Sequence, residues 1–306
     1  MNNQLDIKRI AVFFAFAFGI AWLIGLVIYL MGGLAHSPEI VPGTDITLAY
    51  VLIAVGYMWS PALAHILTRL LTREGWQALY VRPRLRGWPY WIVAWLVPVV
   101  VTFLGAVAFF AIFPQFYDAS LTLVRESLVR SGLPASSNPW TVLITRAAIM
   151  ILVAPLANGL FIFGEEFGWR AYLQPKLMPL GGRKTMMLIG MIWGIWHWPM
   201  IMMGYEYGLD SPGFPWSGML MMVWASLLFG TFLGWVTLRS RSIWPAVIGH
   251  AVMNAVGTLG LLLVQGKPNP LLGPAVNGAI GSVALAILAL AILIIPNALK
   301  VSPPEG

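Results

Sequence analysis

Uninterrupted apolar runs, each long enough to cross a bilayer, dominate this chain. The first, Ile10 to Met31, reads IAVFFAFAFGIAWLIGLVIYLM and contains no charged side chain. About 20 such residues in a helix span a hydrocarbon layer of roughly 30 Å. Comparable segments recur at about 48–70, 88–113, 141–164, 185–203, 218–238, 243–265 and 279–299, separated by turn-like or charged stretches such as GGLAHSPE and PLGGRK. Inside hydrocarbon every backbone N–H and C=O needs an internal partner, so only helices and closed barrels span membranes. Runs of this length without strict alternation exclude a barrel. The expected fold is all-α, a polytopic bundle of about eight membrane helices. The first run is too long for the apolar core of a signal peptide, about 7–15 residues, and reads as a retained helix.

Composition agrees. The chain is 59% hydrophobic and 9% charged, against about 45–50% and 25% in soluble domains. It has no cysteine, which excludes disulfides, a thiol nucleophile and zinc–thiolate sites. Its net charge of +7 would suggest nucleic acid in a soluble protein, but here the cations follow the positive-inside rule. With the N-terminus in the cytoplasm, Lys8, Arg9, the loop cations from Arg69 to Arg86, those from Arg170 to Lys184, Arg239, Arg241 and Lys300 share one side. Arg125, Arg130 and Lys267 lie on the other. Both termini are then cytoplasmic, in what is expected to be a prokaryotic plasma membrane, and no nucleic-acid partner is expected. The chain divides into residues 1–140, with three helices and a basic loop; 141–265, a core of four helices; and 266–306, the last helix and a short tail.

Ionisable residues within membrane segments are costly and by default functional. They are His65, Arg146, Glu165, Glu166, Arg170, His197 and His250, joined by the neutral Asn158 and Asn254. In FGEEFGWRAY, Glu166 and Arg170 stand four apart on one helix face and can pair. That pair does not explain Glu165, about 100° away around the helix. In MIWGIWHWPM, His197 precedes Pro199 by two residues, and the proline should break or kink the helix. In IWPAVIGHAVMNAV, His250 and Asn254 again share a face. Each cluster alone has a bland reading: a helix-end ion pair, a satisfied core histidine, or polar glue between helices. Counted along their helices, all three fall in the half of the bilayer nearer the basic loops. They are expected to form one polar chamber, open to cytoplasmic water. His65, one turn from Arg69, reads as a helix–helix contact, and Arg146 as a cation snorkelling to the outer interface.

A carboxylate beside a histidine can hold and deprotonate water. A neighbouring His and Asn can donate to the oxyanion formed when that water attacks a carbonyl. Peptide-bond hydrolysis without a covalent intermediate suits that set. No G-x-S-x-G motif is present, and no aspartate lies within a membrane segment. Zinc bound by the same carboxylates and histidines is the alternative enzyme, although no H-E-x-x-H occurs. A transporter or an immunity-type binding protein is the non-enzymatic alternative.

Glu165-Glu166-x-x-x-Arg170, an aromatic-x-x-x-His ending at His197, and His250-x-x-x-Asn254, in that order on separate helices, resemble the CAAX-processing and bacteriocin-processing (CPBP) family. This abortive-infection family of intramembrane proteases is related to the Ras-converting endopeptidase. The resemblance covers about residues 158–256. It implies that Glu165 and His197 activate the water and that His250 and Asn254 form the oxyanion site, with Glu166, Arg170 and Trp193 supporting. The motif usually begins with Phe where this chain has Trp193, an aromatic residue expected to pack rather than react. A glutamic-type endopeptidase needs no cofactor, and zinc enters only with the alternative. The expected partners are membrane lipid and a membrane-associated or lipidated peptide. Substrate identity and oligomeric state leave no signal in the sequence.

Overall fold

A computed structural model of the chain describes residues 5–41, 46–76, 80–132, 134 and 136–300, and these are helical with no strand beyond two isolated bridges. Helix α1 spans Ile7–Leu30, capped by the Asp6 carboxylate, which accepts from the Arg9 amide. The rod α2, Leu48–Leu71, contains a π-helical stretch over Leu52–Tyr57. Helix α3, Trp88–Ile112, leads through a short surface helix, α4, Thr122–Arg130, into α5, Pro139–Ala157. The chain bends at Asn158 and continues as α6, Gly159–Gly168. Helices α7, Gly182–Trp196, α8, Trp216–Ser240, α9, Trp244–Val256, and α10, Val283–Ile294, complete the bundle.

Among the described residues, six helical stretches are long and apolar enough to cross a membrane: α1, α2, Leu85–Ile112, α5, α8 and Trp244–Leu263. The protein is an integral, multi-pass membrane protein of the all-α class. The other two expected segments form shorter helices, α7 of 15 residues and α10 of 12. Both are cut by proline. Pro199 ends the continuous run at Trp196, and His197 caps it. Pro296 forces Ile295 out of the helical region, to φ −59° and ψ 125°.

Contacts between chain ends order the bundle. At one end Arg9 donates to Thr72 and Lys176 bridges Asp6 and Glu74, so the start of α1, the end of α2 and the segment after α6 meet there. Gly87 abuts Ser240 at that same end. At the opposite end, Tyr117 pairs with Val264, and the loop Met202–Pro215 lies against residues near Asn277.

Close packing in the middle relies on glycine. A Cβ on Gly190 or Gly194 of α7 would lie 2.5 Å from Leu227 or Val223 Cα of α8. A Cβ on Gly164 or Gly168 of α6 would lie 2.9 Å from Met58 O or 2.3 Å from Pro61 Cβ of α2. Membrane helices lack a hydrophobic drive to associate, and small residues spaced four apart let backbones approach. Both catalytic-candidate segments are pinned this way. His65 is the expected helix–helix contact. It is buried, accepts from Arg69 Nε at 2.7 Å and, through Nδ1, donates to Phe167 O at 2.9 Å. Arg146 is part-buried and donates to Ser127 Oγ of the surface helix α4 at 2.7 Å.

Candidate active site

The two adjacent glutamates point to different partners, as a 100° step around a helix requires. Glu166 is fully buried and pairs with Arg170, Nε to Oε2 3.2 Å. Its Oε1 also meets Nδ1 of His250 at 2.8 Å. Arg170 sits in a π-helical turn, Trp169–Leu173, and its guanidinium lies 4.9 Å from the Trp193 ring centroid. That cation–π contact covers a charge that lipid could not solvate. Glu165 turns away from this pair. Its Oε2 accepts from Trp193 Nε1 at 2.8 Å, and the carboxylate borders a cavity.

Trp193 also touches the neighbours of Glu165. Its ring lies against Arg170 and, edge-on, 5.1 Å from the His250 ring. Its carbonyl takes the Nδ1 of His197 at 2.8 Å. A carbonyl only accepts, so Nδ1 carries the proton and Nε2 keeps its lone pair. His197 is the residue that caps α7 after Pro199 ends the helix, and this places its ring at the cavity wall.

The cavity, of about 180 Å³, is bordered by Glu165, His197, His250 and Asn254 together. Helices α6, α7 and α9 each supply at least one of these residues. Glu166 and Arg170 stand behind that wall. The remaining lining includes Tyr57, whose hydroxyl donates to the Trp196 carbonyl, with Phe229, Tyr205, Glu206 and Asn277. Neither Tyr57 nor Asn277 carried a sequence signal.

Neighbouring helices fix where the site lies along the bundle. Glu165 does not end its helix, because helical turns continue through Leu177. Gly164 packs on Met58 and Trp59, near the midpoint of α2. Helix α7 carries the chain roughly 22 Å from the basic end before His197. The exposed lining residues, Tyr205, Glu206, Asn254 and Thr258, belong to the opposite end. The glutamates thus lie beside the middle of α2, and these exposed lining residues lie on the side away from the basic loops.

Among the described residues no three His, Asp or Glu side chains converge as ligands. Glu166 is committed to Arg170 and to the Nδ1 of His250.

Residues 139–256, which carry every one of these groups except those of α2 and the last loop, match the family model described as type II CAAX prenyl endopeptidase Rce1-like. Over this segment the chain is similar to the Rce1-like CAAX proteases. CAAX prenyl protease 2 of Methanococcus maripaludis is 32% identical to the chain over 94 residues, which is 29% of this chain and 34% of that protein. The chain therefore aligns with about a third of the length of that curated relative.

Proposed function

We propose that the protein is an intramembrane endopeptidase that hydrolyses a peptide bond with water activated by Glu165 and His197. The observation that carries this reading is the convergence on one cavity of a carboxylate, a histidine with a free Nε2, and a His–Asn pair. Water held between the Glu165 carboxylate and His197 Nε2 loses a proton to that pair and attacks the scissile carbonyl carbon. The oxyanion that forms is met by the Asn254 amide and by His250. With Nδ1–H directed at Glu166, His250 donates from Nε2 when the ring carries both protons. Collapse of the tetrahedral intermediate breaks the C–N bond, and the acquired proton passes to the departing amine.

The substrate class that fits the family match is a prenylated C-terminal peptide, with the lipid lying among the apolar helices and the scissile bond in the chamber. The glutamic mechanism is preferred to zinc because Glu166 already engages Arg170 and the Nδ1 of His250. The decisive assay uses purified protein in detergent with a farnesylated C-terminal peptide. Glu165→Ala and His197→Ala are each expected to lower the rate by about 10²–10⁴-fold. Chelator treatment is expected to leave the rate unchanged. Full activity of folded Glu165→Ala overturns the reading, and chelator-sensitive activity with stoichiometric zinc favours the metalloprotease.

A further inference from the structure

A second carboxylate borders the same cavity, and the hydrolytic mechanism has no use for it. Glu206 lies in the loop between α7 and α8, on the mouth side of the chamber. Its backbone takes φ 66°, and the Tyr207 amide bonds across it to the Tyr205 carbonyl at 2.8 Å. This is a three-residue γ-turn with a positive central φ, a rare and strained arrangement for a residue with a side chain. The surrounding structure enforces it. Tyr207 is 3% exposed, packs with Ile201, Met219 and Met222, and donates its hydroxyl to Asn277 O at 3.1 Å. The Glu206 carboxylate accepts from Asn277 Nδ2 at 2.7 Å and from the Tyr205 hydroxyl. Both donors are neutral, and among the described residues no Lys, Arg or His forms an ion pair with Glu206. A strained turn thus holds an oriented carboxylate at the entrance to the chamber. The groups that hold it, Asn277 and Tyr205, are neutral, so the carboxylate is left to attract a cation.

We propose that Glu206, oriented by Asn277 and Tyr205, is a substrate subsite that takes the ammonium or guanidinium group of a basic residue near the scissile bond. The proposal rests on the endopeptidase reading for the identity of its ligand as a peptide. It makes the enzyme selective for substrates with Lys or Arg at one position, a choice the catalytic residues themselves do not impose. Tyr205 adds an aromatic face beside the carboxylate, which suits the same cation.

The test uses two sets of fluorescent farnesylated peptides, with Lys or norleucine at each position around the expected cleavage point. Binding is measured by fluorescence anisotropy in maltoside micelles, with Glu165→Gln protein so that no peptide is consumed. At one position the Lys peptide is expected to bind about tenfold tighter than its norleucine twin. Glu206→Gln, which keeps the hydrogen bond to Asn277, should erase the difference. Glu206→Lys should reverse it in favour of an Asp peptide. Equal binding of both sets, no binding, or a Lys preference that survives Glu206→Gln overturns the subsite. Parallel cleavage assays with Glu165 intact separate the two claims. Selective binding without cleavage defeats the endopeptidase reading and leaves the subsite standing. Cleavage without selectivity does the reverse.

Discussion

At the scale of single residues, the adjacent glutamates are chemically unequal. Glu166 sits against Arg170 with both side chains fully buried, and removing one partner of such a pair costs about 3–5 kcal/mol because the other charge is stranded. Glu165 has a neutral partner, the Trp193 indole. Glu166→Ala is therefore expected to lower the unfolding temperature in detergent strongly, whereas Glu165→Ala leaves the protein folded and inactive. Thermal unfolding of the two variants side by side checks this. Trp193 carries a further expectation. Trp193→Phe retains an aromatic ring but removes the N–H on Glu165, leaving a buried carboxylate oxygen unpaired at about 1–3 kcal/mol. The result should be a fall in kcat of about tenfold or more with little change in KM, since the contact is to the proposed water-activating carboxylate rather than to substrate. An unchanged kcat would mean that Trp193 only packs.

At the scale of elements, the site depends on how closely α7 approaches α8. Gly190 and Gly194 bring the two backbones together, and any Cβ there meets main-chain atoms rather than a flexible side-chain tip. Gly194→Val should push the helices apart, at about 1–3 kcal/mol or more, and carry His197, only three residues on, away from Glu165. Gly19 provides the control, since nothing lies within 4 Å of a Cβ built on it and Gly19→Val should be close to neutral. Melting temperature and peptide cleavage, measured on both, distinguish packing at this seam from a general intolerance of substitution. The break after α7 belongs to the same scale. Pro199 stops the helix so that His197 becomes a cap residue, its Nδ1 turned onto the Trp193 carbonyl and its Nε2 left free.

At the scale of the whole molecule, a charge network fastens the bundle at the end away from the mouth. Asp6, Arg9, Glu74 and Lys176 join the start of α1, the loop after α2 and the segment after α6, which leads directly from the glutamates. Burial pushes the Glu74 carboxyl up, but the hydrogen bond and charge of Lys176, with Arg69 and the Tyr172 hydroxyl, hold it below its ordinary 4.5. A carboxyl held lower when folded than when unfolded contributes stability above its ordinary value. That contribution disappears as pH falls through the folded value. Stability in detergent should therefore decline on acidification below about pH 4.5. Glu74→Gln should flatten the decline while lowering stability at neutral pH. The same network is partly exposed and should weaken with added salt.

Much of this molecule is legible without coordinates, because hydrocarbon imposes severe local rules. Apolar runs of membrane length, with cations clustered in the loops, fix an all-helical multi-pass chain. Rare polar residues then single out Glu165, His197, His250 and Asn254. The Glu166–Arg170 pair follows from helical spacing alone. What tertiary structure decided lies between segments. That Glu166 rather than Glu165 meets His250, that Trp193 donates to Glu165, and that Tyr57, Glu206 and Asn277 close the wall depend on contacts between residues far apart in sequence. Depth belongs here too. Counting residues from helix ends put the chamber near the basic loops, but α6 runs on through helical turns past the glutamates and α7 is cut short by Pro199. The glutamates therefore lie beside the middle of α2, and the exposed lining residues face the other end. Sequence spacing fixes position along and around one helix; where two helices cross, and at what height, is set by how their small residues and bends let them pack.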